Sequence, residues 1–248
     1  MKDNNNKEDE QNKHHSYAPE MVSASAIAET TASMTTDFNN ECSSYRTSLK
    51  EKALSNEATV LQKLAENPEY VGDRSKGVST AYEYEVADVK MGGRGSANWN
   101  KSERSELLET GKVRGAEGHH IDSVAEKPRK QTDPNNIRFY RGRKEHIKKG
   151  HNGDFRNPSS GEPIDKDRML AKTNRKRVIT NEVKGASLAI VTGAAMGVLS
   201  SVFDTCKTEG FKVSSIKKGV KKSGKHVLVS CSASLLTYTV TRIVNYVI

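Results

Sequence analysis

Glu117-Gly118-His119-His120-Ile121, answered by Asn135-Asn136-Ile137 and then by His146 and His151, is the stretch on which the fold of this chain turns. Neutral imidazole is both the commonest metal ligand and the natural general base near neutral pH. An adjacent pair can supply both roles, because neighbouring side chains on a strand point to opposite faces. One ring can then hold a cation while the other faces a water or a phosphate. Glu117 lies two residues before His119 and shares its face on an extended segment, where a carboxylate can orient an imidazole from outside the coordination sphere.

Working outward, Thr132-Asp133-Pro134-Asn135-Asn136 is rich in turn formers, and Ile137-Arg138-Phe139-Tyr140 reads as a short strand. Arg143 to Lys149 reads as a short helix that Gly150 stops. The order is strand, loop, strand, helix, with histidine at both ends. The pair His14-His15 sits in a polar N-terminus without such company.

This ordering resembles the HNH (His-Me finger, ββα-metal) nucleases, and within them the subgroup with a Gly-His-His signature found as nuclease toxin modules in bacteria. The resemblance covers roughly Trp99 to Gly161. It implies that His120 is the general base and that His119, as in the colicin-like branch, is a metal ligand. It also implies that Asn136 braces the loop carrying the base, or in other branches holds the metal. Glu117 falls where a supporting carboxylate stands, and His146 where a further ligand stands. His151 departs from the pattern. The family spaces its last two histidines by four, whereas here the spacing is five, a rotation of about 140° around an α-helix. Both rings meet one ion only if the helix ends near Gly150 and the chain doubles back; otherwise Asn152 or Asp154 takes the place. The cofactor is then one divalent ion, an oxygen-rich site favouring Mg²⁺ and a three-histidine site Zn²⁺ or Ni²⁺. Arg138, Arg141, Arg143 and Arg156 are the candidates for a basic side chain near a scissile phosphate. The toxin resemblance further implies an inhibitory, immunity-type partner protein.

Composition supports a nucleic-acid substrate. The 248-residue chain has a formal net charge of +9, distributed as −4 over residues 1–40, −1 over 41–100, +8 over 101–180 and +6 over 181–248. The positive excess begins where the histidine motif begins, and phosphate backbones are bound largely through such sequence-independent attraction. Cys42, Cys206 and Cys231 are far apart and form no Cys-x-x-Cys pair, which fits a reducing compartment and excludes an encoded four-cysteine zinc site. The polar start Met1-Lys2-Asp3-Asn4-Asn5-Asn6 is not a secretory signal, so a cytoplasmic location is expected.

Elsewhere, residues 1–20 are polar enough to expect disorder, and residues 21–37 suit a weak helix. Tyr45, Leu49, Leu54, Val60, Leu61 and Leu64 predict a helix from about Ser43 to Glu66. Gly72 to Asn100 reads as a linker with Gly92-Gly93-Arg94-Gly95-Ser96 at its flexible centre. Ser102 to Glu109 reads as a short helix capped near Asn100 or Ser102 and stopped by Gly111. Arg168 to Lys184 predicts a basic helix. It leads into Gly185 to Phe203, 19 residues without a charge, and a second uncharged run follows from Val227 to Thr241. A lysine-rich loop (Lys212, Lys217, Lys218, Lys221, Lys222, Lys225) separates them. The first run is long enough to cross a bilayer. Gly193 and Gly197, four apart, allow close helix packing in a membrane or in a soluble hairpin. Strong positive charge at both ends argues against two spans fixed by the positive-inside tendency; a soluble hairpin, a re-entrant pair or a peripheral insertion fits better.

The expected protein is α+β. It comprises a polar tail (1–40), a helical region and flexible linker (41–98), a ββα-metal HNH nuclease unit (99–165), and a basic helix with an apolar helical hairpin (166–248). Its expected function is metal-dependent endonucleolytic hydrolysis of nucleic acid, DNA more than RNA. The rivals are an effector acting on membranes through residues 185–248 and a catalytically silent nucleic-acid-binding module.

Overall fold

A computed structural model describes residues 18–157 and 161–247. The histidine pair at 14–15 and residues 1–17 of the expected tail lie outside the described residues. The described residues are mostly helical with one small sheet and divide into two compact units, one within residues 38–177 and one formed by residues 18–37 with 178–247.

Within residues 38–177, α1 (Ala18–Glu66) contributes its second half, followed by α2 (Arg74–Lys90) and α3 (Lys101–Thr110). Strands β1 (Glu117–His120) and β2 (Ile137–Tyr140) pair antiparallel, with Glu117 opposite Tyr140, Gly118 opposite Phe139, His119 opposite Arg138 and His120 opposite Ile137. The 3₁₀ turns Pro128–Thr132 and Pro134–Asn136 bring the connection back to β2. Helix α3 begins with a reciprocal capping box between Asn100 and Glu103 and ends at Gly111 in the left-handed region, as its flanking residues predict.

Two expectations are corrected in this unit. Residues 72–100 are no linker, because α2 is its central helix. Tyr82 and Val89 join Trp99, Leu107, Ile137 and Phe139 in one apolar cluster, while Tyr84 and Ala87 join Cys42, Leu49, Met91 and Leu170 in another. A helix buried on two sides shows no single apolar stripe, which is why periodicity missed it. The glycine-rich segment is pinned rather than flexible. The carboxylate of Asp88 accepts the Gly95 N–H at 2.7 Å, and that of Glu85 accepts the Ser96 N–H at 2.7 Å and Trp99 Nε1–H at 3.0 Å. Lys166 completes this network by an ion pair to Glu85 at 2.8 Å, with both side chains fully buried.

The second correction concerns the helix after β2. It is a three-residue turn, α4 (Arg143–Glu145), that widens into a π-helical turn over His146–Gly150.

In the other unit, the first part of α1 covers residues expected to be a tail or a weak helix, and Ala24, Ala28 and Thr31 are buried there. Helix α5 (Lys166–Glu209) runs without a break from the basic segment through the first uncharged run, and α7 (Gly224–Val247) carries the second. The lysine-rich connection is itself a helix, α6 (Val213–Lys222), with Val213, Ile216 and Val220 along one side and lysines beside them.

Candidate metal centre

Three imidazoles from two elements converge. His119 sits on β1, His146 opens the π turn and His151 follows it. Their ring centroids lie 4.8 Å apart for His119 and His146, 4.8 Å for His119 and His151, and 5.0 Å for His146 and His151. One nitrogen from each falls within 4.8 Å of the others. The five-residue spacing that an α-helix cannot accommodate is accommodated by the π turn, whose i→i+5 pattern brings residues five apart toward one side. Gly150 lets this turn lie against the rings: a Cβ there would stand 3.0 Å from His146 Cδ2 and 3.1 Å from His119 Cε1.

Outer partners fix which nitrogens are basic. The Glu117 carboxylate faces His146 Nδ1 at 2.6 Å, and since a carboxylate accepts, Nδ1 donates and Nε2 carries the lone pair. The Asn157 carbonyl faces His151 Nδ1 at 3.0 Å and imposes the same tautomer. His146 Nε2 in turn accepts from His119 Nδ1 at 2.8 Å. Burial, reinforced by the neighbouring His146 and His151, depresses the His119 pKa to about 4, so its ring is neutral near pH 7. Three imidazole nitrogens this close together, with the proton between His119 Nδ1 and His146 Nε2 displaced, are a donor set that fits a divalent cation, and a borderline ion best. Asp154, considered above as an alternative ligand, accepts the Arg156 N–H at 2.9 Å instead.

His120 stands apart from this cluster. Its Nε2 meets the Gln131 carbonyl at 3.0 Å; because a carbonyl only accepts, Nε2 carries the proton and Nδ1 is the basic nitrogen. Burial lowers its pKa, with the Arg74 charge acting in the same direction and the Gln131 carbonyl opposing. Gln131 is fully buried and held by the Tyr70 carbonyl at 2.8 Å, the Pro128 carbonyl at 2.9 Å and the Asp73 N–H at 2.8 Å.

Asn136 is also fully buried. Its Oδ1 accepts the Asp122 N–H at 2.7 Å, and its Nδ2 donates to the carbonyls of Asp122 at 3.1 Å and Lys130 at 3.3 Å. It ties the loop after β1 to the turn before β2. A buried amide so engaged braces backbone.

His119, His120, His146 and His151 all border one cleft of about 520 Å³, with Arg74 and Arg156 on its rim. His120 is the last residue of β1, and its ring reaches the same cleft as that of His119 despite their alternation along the strand. Two larger surface concavities, one along Leu61–Pro68 with Pro128–Lys130 and one beside Ser75–Tyr82, contain no histidine. Of the arginines picked out in the sequence, Arg156 is at the cleft and Arg138 is paired with His119. Arg141 is committed elsewhere, to Glu103 at 2.7 Å and over the Trp99 ring. Arg143 lies on α4 and is not among the residues bordering the cleft. Arg74 and Gln131 were not legible as site residues, because nothing near them in sequence marks a tie to the histidines.

Residues 72–141 match the family described as GHH signature containing HNH/Endo VII superfamily nuclease toxin. The match begins before the stretch expected from the motif alone and ends before His146 and His151. Among curated proteins, the chain is similar to Teneurin-3 of Mus musculus and Teneurin-3 of Danio rerio, in each case 34% identical over 68 residues, 27% of this chain. The chain spans about 2% of the length of these relatives. No solved structure matches it.

Proposed function

We propose that this protein is a metal-dependent HNH-type endonuclease that hydrolyses phosphodiester bonds of nucleic acid, DNA more than RNA. The observation that carries the reading is the convergence of the Gly-His-His strand, a three-histidine cluster and two arginines on one cleft. The match of residues 72–141 to a nuclease toxin family supports the reaction class and a nucleic-acid substrate, and the word toxin an inhibitory partner protein.

In this reading His119, His146 and His151 hold one divalent ion, with Zn²⁺ or Ni²⁺ better suited than Mg²⁺ to three imidazoles. When bound, it supplies positive charge against the phosphate and the leaving oxygen. His120 Nδ1 takes a proton from water as the water oxygen attacks phosphorus, the P–O bond to the leaving oxygen breaks, and that oxygen takes a proton from solvent. The Gln131 carbonyl holds the ring in the tautomer that can do this and stabilises the imidazolium that results. Glu117 fixes His146, Asn136 fixes the loop following His120, and Arg74 and Arg156 meet the phosphate charge.

The test is incubation of the purified protein with supercoiled plasmid and with RNA across Mg²⁺, Mn²⁺, Ni²⁺ and Zn²⁺, with EDTA and His120→Ala as controls. Wild type cuts only with metal, and the variant loses about 10²–10⁴-fold, the range for removal of a general base. Equal cutting by both proteins sinks the assignment. Salt-sensitive binding without cleavage under any metal would establish a silent binding module instead.

A further inference from the structure

The helix pair formed by α5 and α7 is packed inside out for a protein in water. Where the two helices touch, the residues are small: Gly193 lies against Ser230 and Cys231, and Gly197 against Val227, each so close that a Cβ would fall 2.6 Å from the facing backbone. Ser230 and Ser234 are fully buried, as is Ala189, which packs with Ala28 of α1 and with Tyr238, the one large side chain turned inward in this cluster. The large apolar side chains point outward instead. Val191, Leu199, Phe203, Leu228 and Leu236 are all between 59% and 69% exposed. Only 22% of the apolar window of α5 and 17% of that of α7 is buried. In water, leucines gain by facing the partner helix and serines by facing solvent. In hydrocarbon, leucine gains nothing from a partner, and small residues are favoured because they let backbones approach.

We infer that residues 185–245 insert into a lipid bilayer carrying anionic headgroups. Three observations name lipid as the occupant. The uncharged run Gly185–Phe203 spans about 28 Å as a helix, matching a hydrocarbon core of about 30 Å. The one basic residue of α7 beyond its first turn, Arg242, is neutralised by an ion pair with Glu182 at one end of the band. At the other end, α6 places Val213, Ile216 and Val220, all exposed, beside Lys217, Lys218, Lys221 and Lys222. That is the form of a helix lying at a membrane interface, and its charge complements phosphate headgroups. The positive-inside bias concerns spans fixed during synthesis; for insertion from solution, anionic headgroups attract both basic ends. This inference does not rest on the nuclease reading.

The experiment floats the full-length protein on a density gradient with phosphatidylglycerol–phosphatidylcholine vesicles and with phosphatidylcholine alone. The protein is expected to rise with the anionic vesicles and to stay with them after a high-salt wash. Leu199→Asp with Leu236→Asp, both at exposed positions, is expected to abolish flotation while circular dichroism shows the helix content retained. As a second readout, a Phe203→Trp reporter is quenched by brominated acyl chains. Absence of flotation overturns the inference, as does complete release by salt, which means surface adhesion only. A lipid-free oligomer that the double aspartate variant dissociates also overturns it, since a second copy of the chain then covers the apolar face.

Discussion

Three of the imidazoles at the site have a tautomer set by what lies behind them. Glu117 behind His146 and the Asn157 carbonyl behind His151 turn Nε2 inward, whereas the Gln131 carbonyl behind His120 leaves Nδ1 as the nitrogen that serves as base in the proposed reaction. Replacing Glu117 by Gln removes the charge that holds one proposed ligand, His146, and loss of such an outer partner typically weakens metal affinity about 10–100-fold. Isothermal titration with Zn²⁺ measures this; unchanged affinity would show that Glu117 has no part in holding the ring. His119 carries a pH dependence. Its folded pKa of about 4 lies below the ordinary 6.5, so between these values the unfolded chain binds the extra proton. Stability from the neutral ring is therefore intact above about pH 6.5 and is lost as pH falls toward 4. In EDTA, the melting temperature of wild type is expected to fall between pH 7 and pH 4.5 more steeply than that of His119→Asn. Parallel curves would contradict the depressed pKa.

At the level of elements, the strand pair and the π turn divide the work. The hairpin fixes where His119 and His120 leave the backbone, and Asn136 clamps the two ends of its long connection together. The π turn then brings His146 and His151 to one side of the chain. Its dependence on a bare backbone at Gly150 gives a prediction: Gly150→Ala pushes against the His119 and His146 rings and lowers metal affinity toward the level of Glu117→Gln. The melting temperature of the metal-free protein is expected to change little, because Gly150 does not occupy a left-handed conformation. Wild-type affinity in this variant would show that the rings have slack. Elements were unevenly legible in sequence. The capped helix α3 and both strands are written in their own residues, whereas α2 has apolar residues on two sides and glycines after it, and so looks like a linker.

For the molecule as a whole, the compact unit of residues 38–177 is organised around a buried charge. Glu85 binds Lys166, Ser96 and Trp99 at once and so joins α2, the glycine-rich segment and the start of α5. Glu85→Gln leaves the Lys166 ammonium buried without a counter-charge, and breaking a buried pair in this way costs about 3–5 kcal/mol. Urea denaturation is expected to show a loss of that size; a loss below about 1 kcal/mol would mean that water or another anion reaches Lys166. The unit of residues 18–37 and 178–247 follows a different rule in its α5–α7 pair, with small residues at the contact and large apolar ones outside, the arrangement from which insertion into a bilayer is inferred above.

The sequence by itself determined the features that depend on near neighbours. These are the order of the histidines, the two strands, the caps of α3, the charge that rises after residue 100, and the two uncharged runs. Only the tertiary structure decided how His151 reaches the cluster and which nitrogen of His120 is basic, and that Arg74 stands at the cleft. The physical reason is separation along the chain. A strand or cap is stabilised by residues a few positions away, whereas Arg74, Gln131 and Asn157 act on histidines brought to them by the packing of α2, the hairpin and the π turn.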